Sequence, residues 1–133
     1  MGLIDGTYKH EKNENFLELL IKAGLPEDRA KKADEDRATV TIKVDGKKVL
    51  WKYDGLKKFE ATLVVGEEVD EPVAEGEMAV STTKLNGNVL TVDSVDKKGK
   101  GTMNRVYTFS DSGFVAVITL DTGVKATRHY KRI

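Results

Sequence analysis

From Arg37 onward the chain alternates with a period of two. "ATVTIKV" puts Ala38, Val40, Ile42 and Val44 on one face, and the turn "DGKK" leads into "VLWKY". "KFEATLVV", "EEVDEPV", "MAVSTTKL", "VLTVDSV", "TMNRVYTF" and "FVAVITL" follow, separated by "AEGE", "NGN", "KKGKG", "SDSG" and "DTG". Pro72 weakens "EEVDEPV" as a central strand, because proline has no N–H for a ladder. With "GTYKHE" near the start and "VKATRHYKRI" at the end, the pattern predicts about ten short strands, about ten residues apart.

Between the first strand and the rest the period changes to that of a helix. In "NENFLELLIKAG", Phe16, Leu19, Leu20 and Ala23 recur at helical spacing. Asn15 stands as N-cap with Glu18 three residues on, close to a capping box, and Gly24 is a stop. "LPEDRAKKADEDR" follows, with Pro26 in the first turn, Glu27 and Asp28 at the positive end of the helix dipole, and Lys31 and Lys32 later. Its apolar content is only Leu25, Ala30 and Ala33, so this second helix should be weakly held. Short antiparallel strands at this spacing indicate a closed barrel or a sandwich. A helical pair after the first strand, then nine strands in sequence, suits an up-and-down barrel with a lid, about residues 15–36, over one end.

Composition narrows the partners. At 133 residues one domain spanning 1–133 is expected. Lys plus Arg and Asp plus Glu both number 22, so no net field gathers nucleic acid, which is not expected as a partner. The absence of cysteine removes disulfides, thiolate metal sites and a thiol nucleophile. The opening "MGLIDGTYKHEK" is no signal peptide, and Gly6 stands where a myristoylation signal wants Ser or Thr. No run approaches the ~20 apolar residues of a membrane span, so a cytosolic protein is the expectation.

The alternation places charge on apolar faces. In "VKATRHYKRI", Val124, Ala126, Arg128 and Tyr130 share a face. In "TMNRVYTF", so do Met103, Arg105, Tyr107 and Phe109. The strand between them offers Phe114, Ala116, Ile118 and Leu120. An unpaired arginine buried in hydrocarbon costs several kcal/mol, so it must be hydrated, paired or ligand-bound. A barrel of about ten strands is wider than its own side chains fill. One physical reading is therefore a buried anchor for a carboxylate attached to an apolar tail. The other is a pair of ordinary rim arginines snorkelling to solvent; periodicity leaves both open. Trp51 and Tyr53 fit the inside or the outside of the barrel equally. His10 and His129 lack any nucleophile-and-carboxylate arrangement, so no catalytic role is expected.

"GTYKHEKNENFLELLIKAGL", "FEATLVVGEEVDE" and "ATRHYKRI" together resemble the intracellular lipid-binding proteins, the fatty-acid-binding and cellular retinoid-binding family, across essentially the whole chain. The resemblance implies an all-β fold: a ten-stranded antiparallel up-and-down β-barrel (β-clam), gapped between two central strands and capped by a helix-turn-helix. It implies non-covalent carriage of one or two long-chain fatty acids or related lipids, by a cytosolic monomer, with no cofactor, metal or turnover. Arg128 and Tyr130 then fall on the pair that binds the ligand carboxylate, with Arg105 or Tyr107 assisting directly or through water. Phe16, Leu20, Leu25, Ala33 and Ile118 would line the cavity or its mouth. Leu56 and the turn around Glu75 to Met78 would form the portal. An ungapped count puts Tyr107 where many members carry a second arginine, with Arg105 one pleat repeat (~6–7 Å) away. Glu77 stands near a position that is cationic in some members. A retinoid or isoprenoid carrier is the alternative on this scaffold, and a partner-binding barrel with a vestigial cavity the alternative of another class. Lys31 and Lys32 suggest transient membrane contact through the lid, against the reading of a solvated helix face among five acidic neighbours.

Overall fold

A computed structural model describes residues 4–55, 58–74, 77–97 and 101–133. The chain runs β1 (Gly6–Glu14), α1 (Phe16–Lys22), α2 (Glu27–Glu35), β2 (Thr39–Asp45), β3 (Lys48–Asp54), β4 (Lys58–Val64) and β5 (Glu68–Ala74). It continues through β6 (Glu77–Asn86), β7 (Val89–Asp96), β8 (Thr102–Ser110), β9 (Gly113–Leu120) and β10 (Lys125–Arg132). The ladder order is β4-β3-β2-β1-β10-β9-β8-β7-β6-β5, every neighbour antiparallel. The sheet therefore curls into a barrel that β1 and β10 join across the back. It is nearly closed: β4 and β5 face one another as the unpaired ends of the order, bridged near one end where Val65 meets Thr83. Pro72 lies in β5, at an edge of the ladder, which is where a strand tolerates a residue without an N–H.

Three local expectations change. Asn15 adopts a left-handed conformation (φ 61°) and makes no side-chain cap. Its amide instead donates to the Lys125 carbonyl at 2.8 Å, fastening the start of α1 to β10. Pro26 precedes α2 as its N-cap residue with ψ 145°, the extended setting from which a helix can start. The first strand runs on to Glu14 with a shift in register between His10 and Lys12. That extra residue reverses the alternation, so His10 and Asn13, which period two would put on opposite faces, meet.

The interior holds two apolar clusters. The larger contains Tyr8, Val40, Ile42, Trp51, Leu63, Leu90, Tyr107, Phe109, Phe114 and Tyr130, among others. Its rings interlock, with Phe114 stacked on Tyr130 at 4.4 Å and edge-on to Tyr8 at 4.9 Å. The smaller joins Phe16 and Leu19 of α1 to Ile118 and Ala126, with Leu20, Met103, Leu120 and Val124 packed against it. Strands β8, β9 and β10 each pass from one cluster to the other, and Arg105, Ala116 and Arg128 stand near the change.

Candidate functional site

Cross-strand register fixes how the polar side chains meet. Arg128 pairs with Ala116, and Ala116 with Tyr107, so these three form one row across β10, β9 and β8. Ala126, Ile118 and Arg105 form the next row. Tyr107 therefore shares a row with Arg128, while Arg105 lies one pleat repeat along. Ala116, the smallest side chain in its row, lies between the arginine and the tyrosine.

The two arginines are used in opposite ways. Arg105 Nη1 donates to Glu71 Oε2 at 3.0 Å and to Tyr107 Oη at 3.2 Å. Its Nη2 donates to Glu71 Oε1 and, at 2.9 Å, to Ser94 Oγ. The side chains of this ion pair are only 11% and 7% exposed, and Nε is buried with no partner. Ser81 donates to Glu71 Oε1 at 2.6 Å and lies 2.7 Å from Ser94 Oγ. The protons can then run in one sense, from Arg105 to Ser94, to Ser81, to Glu71, closing a ring. Burial alone would lower the pKa of Arg105; the facing Tyr107 and the hydrogen-bonded Glu71 more than reverse this, and the guanidinium stays charged.

Arg128 is bonded at the other end of its head. Its Nε donates to Asn13 Oδ1 at 3.0 Å, and neither terminal nitrogen has a hydrogen-bond partner among the described residues. The Phe16 ring covers its face at 4.2 Å, a cation–π contact that ties α1 to the charge. Asn13 donates to the Asp34 carbonyl at 3.1 Å and to its carboxylate at 2.9 Å. With His10 Nε2 at 2.6 Å from its oxygen, every hydrogen-bonding position of the Asn13 amide is taken. His10 Nδ1 lies 2.8 Å from the Asp36 carbonyl. Burial first, and the Arg128 charge second, depress the His10 pKa, against the opposing pull of its hydrogen bonds.

Tyrosines complete the cluster. Burial raises the hydroxyl pKa of Tyr130 and Tyr107, and that of Tyr53 further still, so all three remain neutral donors at physiological pH. Arg105 and Arg128 stand in adjacent rows of the same face, and Arg105 bonds the Tyr107 that shares the Arg128 row, which makes one polar layer. Trp51 sits 4.9 Å from Tyr107 and is 4% exposed, with its indole N–H buried and without a partner. This resolves the inside-or-outside alternative: Trp51 and Tyr53 belong to the interior face.

Of the residues singled out in the sequence, Arg128, Tyr130, Arg105, Tyr107, Phe16, Leu20 and Ile118 come together along this seam. Ala33 and Leu25 are partly buried on the helical side and touch none of these groups by hydrogen bond. Leu56, and Glu75 and Gly76 of the other portal turn, lie outside the described residues. Sequence reasoning missed Glu71, Ser81, Ser94 and Asn13. A depression of about 330 Å³ on the opposite side of the sheet is lined by Glu11, Thr108, Ser112, Val115, His129 and Lys131 among others. Phe114 and Tyr130 also line it, but neither Arg105 nor Arg128 does, and the interior layer is the candidate site. Among the described residues no group of three or more His, Asp or Glu could hold a metal ion.

Residues 2–132 match the model of the lipocalin / cytosolic fatty-acid binding protein family. The fatty acid-binding protein of Tyrophagus putrescentiae is 33% identical over 134 residues, covering 99% of each chain. Fatty acid-binding protein type 3 of Fasciola hepatica is 26% identical over 129 residues, covering 96% of each. Among solved structures, the Schistosoma mansoni fatty acid binding protein in complex with arachidonic acid superposes with a TM-score of 0.91 at 27% identity, covering 100% of this chain and 98% of that one.

Proposed function

The chain belongs to the lipocalin / cytosolic fatty-acid binding protein family, and from that premise we propose that it carries a long-chain fatty acid, its carboxylate on Arg128. The observation that carries the proposal is the free end of that guanidinium. The two terminal nitrogens of this half-buried arginine have no partner among the described residues, while Asn13 holds the head from behind and Phe16 covers it. A planar fork in that setting matches a carboxylate, and Tyr130 adds a neutral donor on the same face. Tyr107, whose oxygen already accepts from Arg105, keeps its own proton to donate. The tail lies against Phe16, Leu20, Met103 and Ile118, gaining roughly 0.8 kcal/mol per CH₂ before the costs of ordering.

In this reading residues 1–133 form one binding unit that works as a cytosolic monomer without turnover. The ligand passes beneath α1 and α2, and the lid meets the membrane through Lys31 and Lys32. Similarity to relatives named for fatty acids supports the ligand class. The anchor is tested by comparing a free fatty acid with its methyl ester. The acid binds at least about tenfold tighter to the unaltered protein, and Arg128→Gln removes the difference. Equal affinity for acid and ester in the unaltered protein defeats the proposal.

A further inference from the structure

The polar layer contains two arginines, yet one of them is already answered. Arg105 spends all four terminal N–H bonds on Glu71 Oε1, Glu71 Oε2, Ser94 and Tyr107, and keeps only the single N–H of Nε. A guanidinium in that state cannot offer a fork to a ligand. Arg128 is the complement: its Nε is spent on Asn13 and its two terminal nitrogens have no partner among the described residues. We infer that Glu71 is the residue that sets ligand charge in this protein, cancelling Arg105 so that the interior accepts one monoanionic head group, on Arg128, and rejects a dianionic one.

This inference rests on the carrier reading and adds to it the charge class of the ligand. The charge count follows from the contacts. The polar layer holds Arg105, Arg128 and Glu71, and its tyrosines are neutral. His10 faces Arg128, which with burial opposes its protonation, and Asp34 and Asp36 stand on the lid side of Asn13 and His10. Within the layer Arg128 is the one positive charge with no ion-pair partner among the described residues, and Asp36, which acts on Tyr130 from the lid side, adds to the rejection of a second negative charge. A first carboxylate satisfies that arginine. A second meets Glu71, whose negative charge lies against the one guanidinium that could have received it. The serine ring fixes this state, since Ser81 and Ser94 hold Glu71 and Arg105 in place with hydrogen bonds that a displaced Glu71 would leave unmade.

The matched probes are palmitate and tetradecylmalonate, which is palmitate carrying a second carboxylate on its α-carbon. Both compete for a fluorescent fatty acid at pH 8, where the malonate is a dianion. The unaltered protein favours palmitate by at least about tenfold, and Glu71→Gln lowers that ratio by about tenfold or more, because Arg105 is released to the second carboxylate. The double variant Glu71→Gln with Arg105→Gln removes the pair together and restores the preference for palmitate to at least about tenfold, since the second carboxylate then meets no guanidinium. An unchanged ratio in Glu71→Gln overturns the inference. So does a preference for palmitate below about tenfold in the double variant, and this measurement decides if the single variant does not fold. Palmitate bound by the unaltered protein with either of those results leaves the carrier reading standing. Failure of the unaltered protein to bind palmitate at all defeats the carrier reading, and this inference falls with it.

Discussion

Asn13 and Arg128 are register partners across the β1–β10 ladder, and Arg128 Nε donates to Asn13 Oδ1 at 3.0 Å. The same amide donates twice to Asp34 at the end of α2. One side chain therefore links the open arginine to the helical lid. Asn13→Ala should lower fatty-acid affinity by about fivefold, because Arg128 loses the bond that orients it. Amide exchange in Glu27–Glu35 should quicken in the same variant. Unchanged affinity with unchanged exchange would show that neither connection matters.

His10 makes the fold sensitive to mild acid. Its folded pKa is depressed, chiefly by burial and then by Arg128. The unfolded chain takes up the proton near the ordinary value of about 6.5, whereas the folded one resists until lower pH. Between those values the unfolded state binds more protons, so stability is full above about pH 6.5 and declines as pH falls through the folded value. Urea midpoints measured from pH 8 to pH 5 should show this loss, and His10→Gln should flatten it. Histidine proton NMR should find His10 titrating below its usual range.

Gly113 is the place where backbones crowd. A Cβ there would stand 2.0 Å from the Tyr130 carbonyl oxygen, at a φ of +155°. Gly113→Ala should cost at least about 2 kcal/mol in urea unfolding, through displacement of β10 against β9. Since Tyr130 shares its face with Arg128, fatty-acid binding should weaken as well. A variant of unaltered stability would mean that the two strands separate freely at this end.

Two-residue alternation was legible wherever a strand is regular. Residues 103, 105, 107 and 109 point as their spacing implies, and so do 126, 128 and 130. In the ladder Tyr107 shares the row of Arg128 and Arg105 lies one pleat repeat along, because no bulge intervenes between β8 and β10. Asn13 was hidden for the opposite reason: the shifted register in β1 reverses its parity. Glu71 was hidden because its partner is 34 positions away, on a strand that only the curl of the sheet brings near. A glutamate beside Pro72 in a run of acids reads as an exposed edge. Burial of that glutamate is a property of the barrel and not of its strand. Asn15 misled in a simpler way, since a capping residue and a residue that ties α1 to β10 have the same amide.

Trp51 reports on the layer it lies in. It is the one tryptophan in the chain, it lies among Tyr53, Tyr107 and Phe114, and its indole N–H has no partner among the described residues. The whole near-ultraviolet emission excited at long wavelength therefore originates beside the polar layer. Whatever displaces water there, or moves charge between Arg105 and Arg128, acts on a chromophore the protein already owns, and occupancy can be followed on the unlabelled chain.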